Sequence, residues 1–303
     1  MDQITSETET LHEWKNPLER LSEIRSKSSN ELISEIETRL KLNPDFSRRI
    51  ESDLGGMGFI ELEDSWGWEG TILNTARISA SNKRIHKGDK LSDADKTLLY
   101  HLMKANHGTP FERVYFHFRV ICPQFVMKQW LRHRMSSFNE YSMRYRTGIH
   151  SFYVPGPKAR SVNGFEVMNE EEISEYCDLL EKNYKFYADM YEKVLKRLEQ
   201  AEKDGKIPAL GSMGGRNPYR GRVRELLRNV MPMASYTDMY WTVNFRSLRN
   251  FMALRCGKPV NEEEDAQFEI REYADTIFQL FTKKFPVLSD VMLKILAEKN
   301  TAS

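Results

Sequence analysis

A chain of 303 residues is long enough for one large domain or two small ones, and a hydrophobic content of 40% predicts a globular protein rather than a disordered one. The 45 Lys and Arg residues nearly balance the 44 Asp and Glu residues, which argues against a bulk polyanion as partner but allows a local cluster of arginines. No apolar run reaches the roughly 18 residues that cross a bilayer, and the polar, acidic N-terminus does not resemble a secretory signal, so we expect a cytoplasmic protein.

Residues 1–58 are charged and carry apolar residues at helical spacing. These apolar positions are Leu18, Leu21, Ile24, Leu32 and Ile36. The segment ends at Gly55–Gly58, a Gly-Gly-Met-Gly sequence that is typical of a break between structural units. We therefore predict a helical N-terminal extension over 1–58 and one larger domain over 59–303. The extension is either a packing or oligomer-contact arm or a substrate lid.

The next part of the chain contains signals for both helices and strands. Residues 59–80 predict a strand, a turn and a helix that leads to Ala76–Ser79. Residues 93–106 predict a helix that Ser92 can cap. The apolar face of that helix consists of Leu98, Leu99, Leu102 and Met103. Residues 113–122 alternate polar and apolar side chains, which predicts a strand.

The second half of the chain is mostly helical by pattern. Residues 170–204 predict a long, charged, amphipathic helix, within a helical insertion around 156–220. The apolar and aromatic stripe of this helix indicates a core or subunit contact rather than a cofactor site. The stripe consists of Tyr176, Leu179, Leu180, Tyr184, Tyr187, Met190 and Tyr191. A loop over 205–220 precedes helices over 221–231 and 243–255, with one or two terminal helices over 266–298. Helices separated by few strands predict an α+β domain rather than a doubly wound sheet.

Residues 129–146 have an unusual composition. They contain four arginines, one histidine, three serines, an asparagine and a glutamate, and no single period gathers their apolar residues on one face. Guanidinium groups match phosphate oxygens with planar, two-pronged donors, and Glu140 can accept from a ring N–H or a sugar hydroxyl. The segment therefore favours a site for a phosphorylated ligand such as a nucleotide. The alternatives from composition alone are a solvated basic turn or an RNA-contact loop.

The order of residues within this segment is more specific than its composition. Arg132–Tyr145 fits the form RHRxxSxNExSxRY and resembles the signature of flavin-dependent thymidylate synthases. His107–Glu112 is similar to the His-x-Thr-Pro-Phe-Glu segment of that family, and Ala76–Ser79 to an earlier segment that contacts the flavin. Tyr236–Arg255 and Ala266–Arg271 are similar to its C-terminal half.

This resemblance implies a fold, a reaction and an assembly. The fold is an α+β arrangement of mixed helices packed on a small, mainly antiparallel sheet. The reaction is the reductive methylation of dUMP to dTMP, with 5,10-methylenetetrahydrofolate as carbon donor and NADPH-reduced FAD as hydride source. The assembly is a homotetramer whose sites are shared between subunits. Nucleic-acid, membrane and metal partners are not expected.

The resemblance also implies roles for individual residues. Arg255 is the catalytic residue that activates dUMP, although a structural salt bridge to the acidic loop Glu262–Asp265 is the alternative. Arg144 and Arg228 are the expected phosphate clamps. The positions that match dUMP contacts are Gln129, Arg132, Glu140, Ser142, Met143, Arg144, Arg228 and Arg255. The positions that match FAD contacts are Ser79, His107, Thr109, Arg132, His133, Arg134, Glu140, Asn244, Arg246 and Asn250.

No covalent nucleophile is expected among these residues. Ser142 has no evident His/Asp relay, which argues against a serine mechanism. The three cysteines show no CxxC spacing, which argues against a disulfide framework and a zinc site. Cys122 lies in an apolar strand and Cys177 on the long helix, while Cys256 adjoins Arg255. The family resemblance implies that none of them attacks the pyrimidine.

Some features depart from the family pattern. The 1–58 extension is additional, and the stretch over 156–220 is longer than usual. Ten residues separate Arg255 from Ala266, where family members usually have fewer. Asp265 occupies a position where a histidine is common. These departures motivate an alternative, a related methyl- or hydroxymethyltransferase acting on another pyrimidine nucleotide. A non-catalytic nucleic-acid-binding protein is a third reading, which the nearly neutral charge disfavours.

Overall fold

The computed structural model describes residues 49–51, 58–145, 151–208, 217–261 and 265–300. Within them, a five-stranded antiparallel sheet has the order β1-β2-β3-β7-β4. The strands are β1 (Arg49–Glu51), β2 (Phe59–Trp66), β3 (Tyr115–Pro123), β4 (Ser136–Glu140) and β7 (Tyr236–Asn244). A separate small hairpin consists of β5 (Ser161–Val162) and β6 (Phe165–Glu166).

Helices surround this sheet. They are α1 (Glu69–Arg77), α2 (Asp93–Lys104), α3 (Gln124–Trp130), α4 (Glu170–Lys203), α5 (Pro218–Leu227), α6 (Phe245–Arg255), α7 (Phe268–Lys284) and α8 (Pro286–Asn300). Short 3₁₀ helices lie at Thr109–Arg113 and Arg228–Val230. Ser92 caps α2 as predicted, since its side chain accepts from the Asp95 backbone N–H. None of the described helices has the length and apolar character needed to cross a membrane.

One face of the sheet forms the core. Phe118 of β3 and Trp241 of β7 are completely buried there, with ring centroids 5.6 Å apart. Trp130 at the end of α3 lies 5.3 Å from Trp241 and 5.0 Å from Phe251 of α6. Burying one such aromatic side chain contributes about 1.5–3 kcal/mol. The contacts hold α3 and α6 against the sheet. The predicted site residue Gln129 lies in the last turn of α3, and α6 ends at Arg255.

The opposite face of the sheet is polar and aromatic. Arg119 of β3 pairs with Asp238 of β7 at 2.6 Å. The ring of His117 stacks on Tyr240 at 5.3 Å, and Trp66 and Tyr115 are exposed. An exposed aromatic surface on a sheet is a feature of protein contact sites.

The observed elements confirm most predicted ones. The strand, turn and helix over 59–80 are β2 and α1, the long helix over 170–204 is α4, and 266–298 forms two helices. The predicted loop over 205–220 is wrong at its end, because Asn217 caps α5 and the helix starts at Pro218. The sequence analysis did not predict β4 and β7.

Two other expectations differ in detail. Leu180, Tyr184 and Tyr187 of the α4 stripe are buried as predicted, whereas Leu179 is exposed. Arg49–Glu51 was assigned to a helical extension but forms a strand that pairs with β2. Residues 1–48 and 52–57 of that extension lie outside the described residues.

Candidate functional site

The arginine-rich segment connects α3 to the sheet. The buried Trp130 anchors its start, and a turn follows in which the Ser136 hydroxyl donates to the His133 carbonyl at 2.7 Å. The chain then forms β4, the edge strand paired with β7. A second turn follows β4, in which the Ser142 hydroxyl accepts from the Arg144 backbone N–H at 3.3 Å. Ser142 therefore shapes a turn, which agrees with the absence of a nucleophilic role.

Arg255 and His133 meet at the start of this segment. The Arg255 Nε lies 3.3 Å from the His133 Nε2 and donates to it. The His133 ring also contacts Phe251 edge-on at 4.8 Å, one helical turn before Arg255. Burial, together with the neighbouring Arg255 charge, lowers the pKa of His133 to about 4. His133 is thus neutral at pH 7, and its Nε2 is the acceptor.

This contact bears on the two readings of Arg255. The salt-bridge alternative placed an acidic residue of Glu262–Asp265 beside it. Asp265 instead accepts from the Asn261 amide at 3.1 Å, and residues 262–264 lie outside the described part of the chain. Within the described residues, Arg255 is hydrogen-bonded to a neutral imidazole and has no carboxylate partner.

The lowered pKa of His133 has a consequence for stability. The unfolded chain binds a proton at this histidine below its ordinary pKa of about 6.5, whereas the folded protein binds it only near pH 4. Stability therefore decreases as the pH falls from about 6.5 towards 4.

We expect His133→Asn to reduce the drop in melting temperature between pH 7 and pH 5. The same substitution at exposed His101 is the control, and an equal effect at both positions would contradict this assignment.

The two predicted phosphate clamps lie near one carboxylate. The Arg144 Nε pairs with Glu225 Oε1 at 2.7 Å, and Arg222 pairs with Oε2 at 3.0 Å. The hydrogen bond from Arg222 and the charges of Arg144 and Arg228 lower the pKa of Glu225. Glu225 thus engages Arg144 at Nε, and an arginine held at Nε can offer its terminal nitrogens as a two-pronged donor.

Other predicted dUMP positions lie on the same segment. Glu140 at the end of β4 accepts from the Thr237 hydroxyl at 2.8 Å through one carboxylate oxygen. The sulfur of Met143 accepts a weak hydrogen bond from the Gln124 amide at 3.9 Å. Gln129, in the last turn of α3, donates to Gln267, which directly precedes α7. Arg132 is exposed and makes no side-chain hydrogen bond within the described residues.

Three of the predicted flavin positions, Asn244, Arg246 and Asn250, lie in the first half of α6 or directly before it. Arg246 pairs with Glu112 at 2.6 Å and covers Gly108, where an added Cβ would lie 2.6 Å from the Arg246 Nε. Only glycine fits beneath this guanidinium without displacing it. Asn244 caps α6 by accepting from the Ser247 backbone N–H at 2.9 Å.

The remaining flavin positions are accessible. Asn250 lies one helical turn after Arg246 on the same exposed side of α6. The helix α1, which Ser79 follows, packs against the 3₁₀ helix that begins at Thr109. Exposed positions in this group include Ser79, His107, Thr109, Arg134, Arg246 and Asn250.

The cysteines lie in the interior. Cys122, Cys177 and Cys256 are all buried. Burial raises the pKa of Cys122, and burial together with Asp275 raises the pKa of Cys256 well above its usual range. A thiol held in this way is not a nucleophile at neutral pH.

Sequence reasoning missed three residues that contact predicted site residues. Glu225 holds Arg144, Thr237 holds Glu140, and Gln267 holds Gln129. Only Glu225 had a local signal, since it lies three residues from both Arg222 and Arg228 on a helix. Gln267 and Thr237 reach the site through the tertiary fold.

Comparisons with known proteins identify relatives of this chain. The family described as "Thymidylate synthase complementing protein" matches residues 61–287. A flavin-dependent thymidylate synthase from Thermosipho africanus is 35% identical over 242 residues, which cover 78% of this chain and 91% of the relative. One from Thermosipho melanesiensis is 36% identical over 239 residues, with the same coverage. The crystal structure of the UMP/dUMP methylase PolB from Streptomyces cacaoi bound with 5-Br dUMP superimposes with a TM-score of 0.59 at 26% identity, covering 77% of this chain and 94% of that one.

Proposed function

This chain belongs to the family of flavin-dependent thymidylate synthases, and on that premise we propose how its own residues methylate dUMP to dTMP. The enzyme is a methyltransferase with FAD as cofactor and with NADPH and 5,10-methylenetetrahydrofolate as co-substrates. The observation that carries our assignment is the contact between Arg255 and neutral His133. Within the part of the chain that the structure describes, Arg255 therefore lies beside the signature segment without a carboxylate partner.

Arg255 activates the uracil ring. C5 of uracil becomes nucleophilic when negative charge on N3 and its flanking oxygens is stabilised, and a fixed guanidinium provides that stabilisation. His133 accepts from the Nε of Arg255, which directs the terminal nitrogens towards the ligand. The buried cysteines are inaccessible, so activation proceeds without a covalent enzyme nucleophile.

The other signature residues position the nucleotide. Arg144 and Arg228 bind the phosphate, and the Glu140 carboxylate accepts from a sugar hydroxyl or a ring N–H. The support is that Arg144 and Arg228 lie near Glu225, and that Thr237 engages only one oxygen of Glu140. Gln129, Arg132, Ser142 and Met143 complete the predicted set.

Several of the predicted flavin positions have the chemistry that FAD requires. Arg132, Arg134 and Arg246 offer cationic donors for a pyrophosphate. Arg246 also packs directly over Gly108, because an added Cβ there would lie 2.6 Å from its Nε. The further contacts are assigned to Ser79, His107, Thr109, His133, Glu140, Asn244 and Asn250. When bound, FAD supplies the hydride that completes the methyl group.

We further propose that the enzyme is a homotetramer with sites shared between subunits. The exposed aromatic face formed by Trp66, Tyr115 and Tyr240 supports self-association. Arg132 and Arg134 are exposed, as expected for residues that complete a site on a neighbouring subunit. We retain a division into an extension over 1–58 and a catalytic domain over 59–303, with an insertion around 156–220. We also propose a cytoplasmic location, because the three cysteines show no spacing typical of a disulfide framework.

A related pyrimidine nucleotide is the second candidate substrate. The similar protein of known structure is described as a UMP/dUMP methylase. The altered loop between Arg255 and Ala266 lies next to the predicted activating residue. Because UMP and dUMP differ only in the 2′-hydroxyl, a direct comparison of the two substrates separates these possibilities.

The proposed function is tested with purified protein. We expect a yellow flavin spectrum and tritium release from [5-³H]dUMP in the presence of NADPH and methylenetetrahydrofolate, with little or no release from [5-³H]UMP. Faster release from UMP would favour the second candidate. A colourless protein that cannot be reconstituted with FAD, or one that releases no tritium from either nucleotide, would refute the proposal.

A further inference from the structure

Gln129 is the end of a chain of hydrogen bonds that reaches into the core. Its amide Nε2 donates to Gln267 Oε1, and the Gln267 Nε2 donates to Glu269 Oε2 at 2.8 Å. The hydroxyl of Tyr153 donates to the other oxygen, Glu269 Oε1, at 2.8 Å. Tyr153 and Glu269 are buried, whereas Gln267 lies at the surface beside Gln129.

The carboxyl group of Glu269 determines the direction of every bond in this chain. It lies in the first turn of α7, where the helix N-terminus stabilises negative charge. Burial, with Glu269 beside it, raises the pKa of Tyr153 well above its usual range, so the hydroxyl remains a donor. Because Glu269 accepts at both oxygens, Gln267 must present its amide nitrogen to Glu269 and its oxygen to Gln129.

The same argument determines the orientation of the Gln129 side-chain amide. An amide can rotate by half a turn and exchange its donor and acceptor ends, and neighbouring groups decide between the two orientations. The Gln267 oxygen can only accept, so Gln129 donates to it through Nε2. The Gln129 oxygen and one remaining N–H then have a single arrangement relative to the ligand.

We propose that Glu269, acting through Gln267, is a positioning residue that fixes the amide of Gln129 for recognition of dUMP. This inference rests on the proposed function, which assigns Gln129 to the dUMP site. It also gives a role to the chain just after the altered loop, because Gln267 lies two residues beyond Asp265. The inserted residues leave this contact with the signature segment in place.

The test is a double-mutant cycle on the FAD-loaded protein, with the dissociation constant for dUMP measured by equilibrium dialysis. The amide of Glu269→Gln can donate as well as accept. The substitution therefore removes the fixed direction of the hydrogen bonds through Gln267 while keeping the shape of the side chain. We expect Glu269→Gln and Gln129→Ala each to weaken dUMP binding about tenfold. In the Gln129→Ala background, Glu269→Gln should cause less than about a twofold further change, because its effect passes through Gln129.

Two further variants keep the test decisive. Gln267→Ala removes the link at the surface without altering the buried carboxylate, and it should show the same dependence on Gln129. Glu272→Gln makes the same chemical change on α7 at a residue that pairs with Lys158, and it should leave dUMP binding unchanged.

The outcomes separate the positioning role from the proposed function. Independent, multiplicative effects of the two substitutions would overturn the positioning role, as would normal binding in both Glu269→Gln and Gln267→Ala. If Gln129→Ala also binds dUMP normally, then the assignment of Gln129 to the site fails as well. A loss of dUMP binding in Glu272→Gln would show that the effect belongs to the helix in general.

Discussion

Arg255→Ala lowers turnover about 10²- to 10³-fold and weakens dUMP binding by only about tenfold. A donor aimed at charge that develops in the transition state contributes more to the rate than to substrate binding. Arg255 has this character because its described partner is a neutral imidazole. The measurement is single-turnover tritium release from [5-³H]dUMP with pre-reduced enzyme, together with equilibrium dialysis of dUMP.

Two variants control for loss of charge and loss of fold. Arg255→Lys keeps the positive charge but lacks the planar fork, so its turnover should fall between those of wild type and Arg255→Ala. Arg197→Ala removes an arginine from the exposed side of α4 and should leave both measurements unchanged. Arg255→Ala should also retain FAD. Turnover within about threefold of wild type, or dUMP affinity and rate falling by the same factor, would exclude Arg255 as the activating group.

The local elements were predictable because their signals are local. Ser92 and the acidic residues after it form a capping box that can be read from four successive residues. The helix α4 shows a continuous amphipathic pattern over its whole length. By contrast, β4 has Phe138 as its only apolar residue and ends at Glu140, which the resemblance assigns to ligand contacts, so it lacks the apolar alternation that normally marks a strand. Pairing with β7 defines it as a strand.

The site was predictable only in part for a similar reason. The signature gives the residues that contact ligands, but it contains no information on the residues that hold them. Glu225, Thr237 and Gln267 all come from the C-terminal half of the chain and meet the signature only after folding. The neutrality of His133 is likewise a tertiary property, because it arises from burial and from the proximity of Arg255.

Arg144→Ala should raise the dissociation constant for dUMP about 30- to 100-fold, equivalent to about 2–3 kcal/mol for charge-assisted hydrogen bonds to phosphate. Glu225 engages the Nε edge of Arg144 and orients the opposite, two-pronged end. Since only the phosphate uses that end, binding of deoxyuridine, which lacks the phosphate, should change by less than about twofold. Equilibrium dialysis of both ligands with the FAD-loaded protein measures the difference.

Arg222→Ala is the matched control, because Arg222 pairs with the second oxygen of the same carboxylate but is not assigned to the ligand. An exposed ion pair of this kind contributes about 0–1 kcal/mol, so dUMP binding should change only slightly. Equal losses in Arg144→Ala and Arg222→Ala would mean that the local positive field, rather than a directed contact, holds the phosphate. A parallel loss of deoxyuridine binding in Arg144→Ala would mean that the turn after β4 had collapsed. Selective loss of the phosphorylated ligand in Arg144→Ala alone is therefore the result that assigns the clamp.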